Sequence, residues 1–274
     1  MKMKVAILQM KVYADKIKNL EQVKSLMERE DVSSCDLVAL PEMWNCPYQT
    51  ENFPIYAEKE DSDYVRELGA LAKKHHVYFQ AGSIPEVDDV GRVYNTAYTW
   101  DREGNLIGKH RKVHLFDIYA HGQQVFKESD TLTAGDTFEV FDTEFGKMAV
   151  NICFDIRFPE SSRIPTLKGA RIILNPGAFN MTTGPAHWEL GFRQRAIENQ
   201  VYMIGAAPSR DKEAGYIAWG HSIIADPWGN VVMQLDEKEG IGIAELDLDE
   251  IDRIRGKLPL LSARRTDLYK VEEI

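Results

Sequence analysis

Short apolar runs that alternate with stretches of helical period constrain this chain more than any other feature of its sequence. KVAILQM (4–10) is apolar, short and partly β-branched, which predicts a buried strand. From Ala14 to Glu30 the apolar residues Ile17, Leu20, Val23 and Met27 recur on one helical face, with Asp15 as the expected N-cap. CDLVALPE (35–42) reads as a second buried strand stopped by Pro41, SDYVRELGALAKKHH (62–76) as a helix, and VYFQAGSIPE (77–86) as a third strand. A β-α-β-α-β order of this kind predicts a layered α/β fold.

The pattern then changes. VYNTAYTWDREGNLIGKHRKVHL (93–115) is two strands joined by a DREGN turn, and DTFEVFDTEFGKMAVNICF (136–154) repeats the device with TEFG as the turn. A helical stretch around 160–168 leads into the strand ARIILNPGAF. GPAHWELGFRQRAIENQ (184–200) is a helix with Pro185 suited to its first turn. VYMIGAAP, HSIIADPWGNVVMQL and GIGIAELDL complete the strands, and a helix near Asp249–Arg255 precedes an irregular tail. Hairpins and helix-linked strands together call for mixed sheets. Strands without an outward polar face call for two sheets packed on each other with helices outside. No linker or repeat divides residues 1–274, so one domain is expected, with 43–60 and 116–135 as loops bordering a site.

The 274 residues carry a net charge of −10, with basic density confined to KHRK (109–112). That balance argues against nucleic acid or an anionic membrane as partner, while leaving room for a small anionic substrate in a locally positive pocket. Three cysteines, Cys35, Cys46 and Cys153, have neither disulfide-framework nor zinc-finger spacing. The N-terminus MKMKVAILQMKVY has no long apolar region or cleavage site, and no stretch approaches a membrane span. A reduced, cytoplasmic protein is the expectation.

Chemistry concentrates where apolar runs end. Cys153 closes the run FGKMAVNI and is followed by a stretch able to turn into a helix. A cysteine there is either a packed core thiol or a nucleophile on an elbow that aims backbone N–H groups at one point. As a nucleophile it needs a base or a nearby cation. Among the histidines, His75, His110, His114, His121 and His187 are not separated by spacing alone. Glu42 in LVALPEMWN also ends an apolar strand, where a carboxylate is costly unless solvated or used. Lys112 sits in GKHRKVHLFD before another apolar pair. A base, a cation and a nucleophile at strand ends suffice for acyl transfer.

LPEMWNCPY, GKHRKVHLFD and NICFDIRFPE resemble the three signature segments of the nitrilase, or carbon–nitrogen hydrolase, superfamily, in order and spacing. Within it the chain is similar to omega-amidases through FKESDTLTAGD, NPGAFNMTTGPAHWELGFRQRAIENQVYM, AWGHSIIADPWGN and the tail RRTDLY. The resemblance implies a four-layer α-β-β-α sandwich and a Glu42–Lys112–Cys153 triad. It implies a homodimer or larger oligomer, with the tail from about residue 256 reaching a partner subunit. Glu128 matches a second glutamate that supports the lysine, and the backbone N–H of Phe154 joins Lys112 at the oxyanion. Tyr48, Phe116, Ala178, Phe179 and Arg157 fall in segments bordering the pocket. Arg157 is read either as holding a substrate carboxylate or as tying the elbow to an acid such as Glu160. His187 and Trp188 are read as packing residues, and nothing beyond proximity to Glu42 recommends Cys46.

The implied reaction hydrolyses the terminal amide of a small dicarboxylic acid monoamide, 2-oxoglutaramate or 2-oxosuccinamate, through a cysteinyl thioester, without metal or cofactor. The alternatives are an amidase for deaminated glutathione or N-carbamoyl amines, nitrile hydrolysis, a non-catalytic interaction module, and a histidine-based cysteine-protease mechanism.

Overall fold

The structure, a computed structural model, describes residues 1–118 and 126–274. His121 lies outside the described residues. In chain order the strands are β1 (Lys2–Gln9), β2 (Leu37–Ala39), β3 (Tyr78–Gln80), β4 (Ile84–Val87), β5 (Val93–Trp100), β6 (Leu106–Arg111), β7 (Asp117–Ile118), β8 (Phe126–Lys127), β9 (Val140–Thr143), β10 (Gly146–Val150), β11 (Ala170–Pro176), β12 (Tyr202–Ala206), β13 (Ile223–Ala225), β14 (Val231–Gln234) and β15 (Gly240–Asp247). The helices are α1 (Lys16–Met27), α2 (Glu30–Ser33), α3 (Phe53–Tyr56), α4 (Asp63–His75), α5 (Pro159–Leu167), α6 (Gly184–Asn199) and α7 (Asp249–Lys257).

Two large mixed sheets result. One runs β15-β1-β2-β3-β5-β4, with β6 beside β5; the other runs β14-β13-β12-β11-β10-β9. β1, β2 and β3 pair in parallel, as do β10, β11 and β12, and antiparallel strands flank each trio. The two-residue period of β1 shows how the layers form. Met3, Val5 and Ile7 enter the core between the sheets, with Ile172, Leu174 and Met203 of the second sheet. Ala6 and Leu8 point the other way, onto Leu20 and Val23 of α1 and Leu68 and Leu71 of α4. Beyond the second sheet, α6 contributes Trp188, Phe192 and Ala196. This is the expected α-β-β-α sandwich.

Two local expectations need correction. Ile17 is not on the buried face of α1: it is 55% exposed, and Asn19 is buried in its place. The Asn19 amide accepts from Tyr13 N at 2.8 Å and donates to Tyr13 O at 2.9 Å, so a polar side chain is satisfied there and rotates the face. Asp15 caps α1 as predicted, accepting from the N–H groups of Ile17 and Lys18. The run 77–86 is two strands rather than one. Gly82, at φ +57°, breaks it where a Cβ would stand 1.9 Å from the Pro41 carbonyl oxygen. Only glycine lets the chain pass so close to the segment carrying Glu42.

Candidate active site

Three strand ends of the sandwich converge. β2 stops at Ala39, and Leu40-Pro41 lead to Glu42; Met43 then turns sharply at φ +49° and donates its N–H to Ser83 Oγ at 3.1 Å. β6 stops at Arg111, and Lys112 follows with its own N–H on the Asn95 carbonyl of β5 at 2.8 Å. β10 stops at Val150, and three residues later Cys153 opens a short 3-10 turn, Cys153–Arg157, at φ +46°. A non-glycine residue in that region stores strain of about 1–3 kcal/mol and is held by its surroundings. Here Arg195 of α6 donates to the carbonyls of Ile156 (2.7 Å) and Arg157 (3.0 Å). The expected elbow is therefore present, made from a 3-10 turn, with α5 beginning only at Pro159.

The side chains meet in a buried polar cluster. Lys112 Nζ lies 2.9 Å from Glu42 Oε1 and 2.9 Å from Glu128 Oε1, and all three side chains are fully buried. Glu42 Oε1 also accepts from Asn95 Nδ2 at 2.9 Å, and Glu42 Oε2 from the Ala178 N–H at 2.8 Å. Glu128 Oε2 accepts from the Phe116 N–H at 2.7 Å. The Tyr48 hydroxyl stands 2.7 Å from Glu128 Oε1 and 3.1 Å from Glu42 Oε1. It has one proton to donate, so the shorter contact defines its bond and ties it to Glu128.

These contacts govern the charges. Burial alone would lower the Lys112 pKa, but Glu128 and Glu42 overcome it and raise it, so the ammonium keeps its proton. Burial raises the pKa of Glu128 despite Lys112. The Cys153 thiol is raised well above its ordinary value, first by burial and then by Glu42, with Lys112 opposing. The resting sulfur is a thiol, and its activation calls for a base at the moment of attack.

Arg157 does not tie the elbow to Glu160, as one of its two readings had it. Its Nη1 donates to His187 Nδ1 at 2.8 Å, and its guanidinium lies 4.5 Å from the Phe179 ring centre and 5.7 Å from that of Phe154. Among the described residues it forms no salt bridge with Glu160 or any other acid, and its Nε is buried without a partner. Burial lowers its pKa, with Cys153 acting in the opposite sense. A small cavity of about 10 Å³, room for one water, lies against Cys153, Phe154, Arg157, Phe116, Ala178 and Phe179. Thr183 and Tyr216 complete its wall and also border a recess of about 510 Å³ that includes Tyr48. Four of the five residues expected at the pocket, Phe116, Arg157, Ala178 and Phe179, line one cavity around the sulfur, with Tyr48 in the adjoining recess. Ala178 has its N–H on Glu42 and its carbonyl accepting from Tyr216 Oη at 2.5 Å, so its polar groups serve the cluster.

The histidines sort themselves by partner. His110 and His114 both bond Asp155, His187 bonds Arg157, and Trp188 is buried under Phe179. None forms a hydrogen bond to Cys153 among the described residues. Cys46 is buried beside a separate cavity of about 200 Å³ that Glu42 also borders. Sequence reasoning missed Asn95, Tyr216 and the Asp155 pair of histidines. Asn95 had a signal, a polar residue inside the fully buried strand VYNTAYTW. Tyr216 had none, lying in an irregular segment.

Residues 4–256 match the family described as carbon-nitrogen hydrolase. The chain belongs to the carbon-nitrogen hydrolase family. It is similar to omega-amidase NIT2-A of Xenopus laevis, 47% identical over 99% of this chain and 98% of that one. It is also similar to human omega-amidase NIT2, 41% identical over 98% of this chain and 97% of that one. Among solved structures, Nit3 of Saccharomyces cerevisiae, a member of branch 10 of the nitrilase superfamily, superposes with a TM-score of 0.88. That match is 40% identical and covers 96% of this chain and 97% of the other. A carbon-nitrogen hydrolase from Helicobacter pylori gives 0.85 at 27% identity, over 98% and 97%.

Proposed function

We propose that this carbon-nitrogen hydrolase cleaves the terminal amide of a small dicarboxylic acid monoamide, 2-oxoglutaramate or 2-oxosuccinamate, to the acid and ammonia. The observation that carries the substrate class is Arg157, a half-buried cation facing the same small cavity as Cys153 with no acid to neutralise it among the described residues. A guanidinium in that state suits a carboxylate at one end of a substrate whose other end reacts. The likeness to omega-amidases supports the same reading.

In this reading Glu42 takes the proton of Cys153 as sulfur attacks the amide carbon. Lys112 and the Phe154 N–H, which lies in the first turn after Cys153 where helical N–H groups lack intrahelical acceptors, stabilise the developing oxyanion. Glu42 then protonates the departing ammonia, and water activated by Glu42 releases the acid from the thioester. Glu128 keeps Lys112 charged and in place. Asn95 and the Ala178 N–H hold the Glu42 carboxylate from two sides, which orients it.

The wider reading is one domain working in the cytoplasm as a homodimer. Three free cysteines fit a reducing setting. Exposed Leu190 and Ile197 on α6, with Leu268 and Tyr269 of the tail, offer apolar surface for a partner. The tail's tip is held on its own subunit, where Glu273 accepts from the Phe138 N–H at 2.7 Å and pairs with Lys168.

Ammonia release from 2-oxoglutaramate tests the assignment, with succinamate, an uncharged amide and an aliphatic nitrile as comparisons and Cys153→Ala alongside. Release confined to the carboxylated amides and lost in the variant is expected. Turnover of the nitrile or the uncharged amide in preference would overturn the substrate class.

A further inference from the structure

We infer that Asp155 is a positioning residue for the reaction, a single carboxylate that locks the segment carrying Lys112 onto the turn carrying Cys153. The inference rests on the functional reading above only for which atoms react. Asp155 is fully buried two residues beyond the sulfur. Its Oδ1 accepts from the His114 N–H at 2.8 Å and stands 2.8 Å from His114 Nδ1. Its Oδ2 accepts from the Ile152 N–H at 3.0 Å and stands 3.1 Å from His110 Nε2. His110 and His114 each lie two residues from Lys112, one on either side, and Ile152 immediately precedes Cys153. One side chain therefore binds both flanks of the ammonium-bearing segment and the residue entering the elbow.

The chemistry of the donors makes the lock specific. Asp155 is held well below the usual carboxylate range: burial would raise it, but hydrogen bonds with His110 and His114 outweigh burial. An ionised carboxylate only accepts, so both imidazoles present N–H to it. Four donors occupy two oxygens. A second link runs in parallel, because the His114 ring stacks on Phe158 at 3.7 Å and 9°, just past the turn. Ser161 Oγ also donates to the Asp155 carbonyl at 2.5 Å, holding the turn's backbone from α5. None of these groups needs to touch substrate. Their effect is on where Lys112 stands relative to the sulfur, and a misplacement of about 1 Å at a reacting centre costs about 10²-fold in rate.

Asp155→Asn tests the lock with almost no change in volume, since an amide turns its NH2 toward two of the four donors. The expected result is a fall in kcat of about 10²-fold with KM within about two-fold. His114→Asn and His110→Gln keep an N–H near the native donor positions and should retain most activity, whereas His114→Ala and His110→Ala should lose it. A second readout needs no amide: the rate of Cys153 alkylation by iodoacetamide, followed by peptide mass to separate it from Cys35 and Cys46. It should drop about ten-fold or more in Asp155→Asn as Lys112 moves from the sulfur. A folded Asp155→Asn enzyme with wild-type kcat and alkylation rate would overturn the inference. So would equal losses in the donor-keeping and donor-lacking histidine variants, which remain informative if Asp155→Asn fails to fold. Failure of every monoamide as substrate would sink the functional reading alone, because alkylation still reports on Asp155.

Discussion

Lys112 Nζ lies 2.9 Å from Glu42 Oε1, and neither side chain has solvent access. A buried pair of this kind is costly to break from one side, because the remaining charge loses its partner without regaining water. Lys112→Met strands two carboxylates, Glu42 and Glu128. The variant is expected to lose about 3–5 kcal/mol of unfolding free energy and essentially all amidase activity. Urea unfolding together with an ammonia-release assay checks both. A variant as stable as wild type would mean that the buried ion pair adds nothing net to folding.

Glu128→Gln separates support from chemistry. The amide can still accept from Phe116 N–H, but it no longer supplies a charge to Lys112 or an anionic acceptor to Tyr48. Losing a hydrogen bond to a charged group is worth about 1.5–3 kcal/mol, so kcat should fall about 10- to 150-fold. Loss as complete as that of Cys153→Ala would instead give Glu128 a direct part in proton transfer.

Arg157→Met should act on binding and discriminate by substrate charge. For a carboxylated amide, KM is expected to rise about 10- to 150-fold with a smaller change in kcat. For an uncharged amide of the same length KM should barely move. Equal losses on both substrates would mean that the guanidinium supports the elbow rather than the substrate, as its contact with His187 would allow.

The buried thiols make stability fall on the alkaline side. Burial, then Glu42, raises the pKa of Cys46; burial, then Glu42, raises that of Cys153 against the opposing pull of Lys112. In the unfolded chain a cysteine ionises near pH ~8.5. Above that value the unfolded state holds fewer protons than the native state, so unfolding free energy drops as pH rises. Each thiol contributes a slope approaching about 1.4 kcal/mol per pH unit. Denaturant titrations between about pH 8.5 and 9.5, where the unfolded thiol is still partly protonated, should show a slope shallower by about 1 kcal/mol per pH unit in Cys46→Ala. An unchanged slope would show that Cys46 ionises as readily in the fold as out of it.

The chain's periodicities and turn chemistry determined the sandwich. Met3, Val5 and Ile7 against Ala6 and Leu8 is a division that the strand period dictates, and Asp15, Ser62 and Pro185 start their helices where local capping rules place them. The strand-end positions of Glu42, Lys112 and Cys153 were legible for the same reason, since a polar group ending an apolar run is a local signal. Ile17 and the break at Gly82 were not, because each depends on a neighbour far along the chain or on a rival bond to Tyr13. Only the tertiary structure decided who holds whom. Ala178 reaches Glu42 across 136 residues, Asn95 across 53, and Asp155 gathers two histidines about 40 residues upstream. Nor does sequence tell a paired arginine from an unpaired one, and Arg157 faces the pocket without an acid among the described residues because α6 brings it His187 instead. Backbone period and capping act over a few residues and can be read in line. Hydrogen-bond partners in a buried cluster are chosen by which strand ends the packing of two sheets brings together.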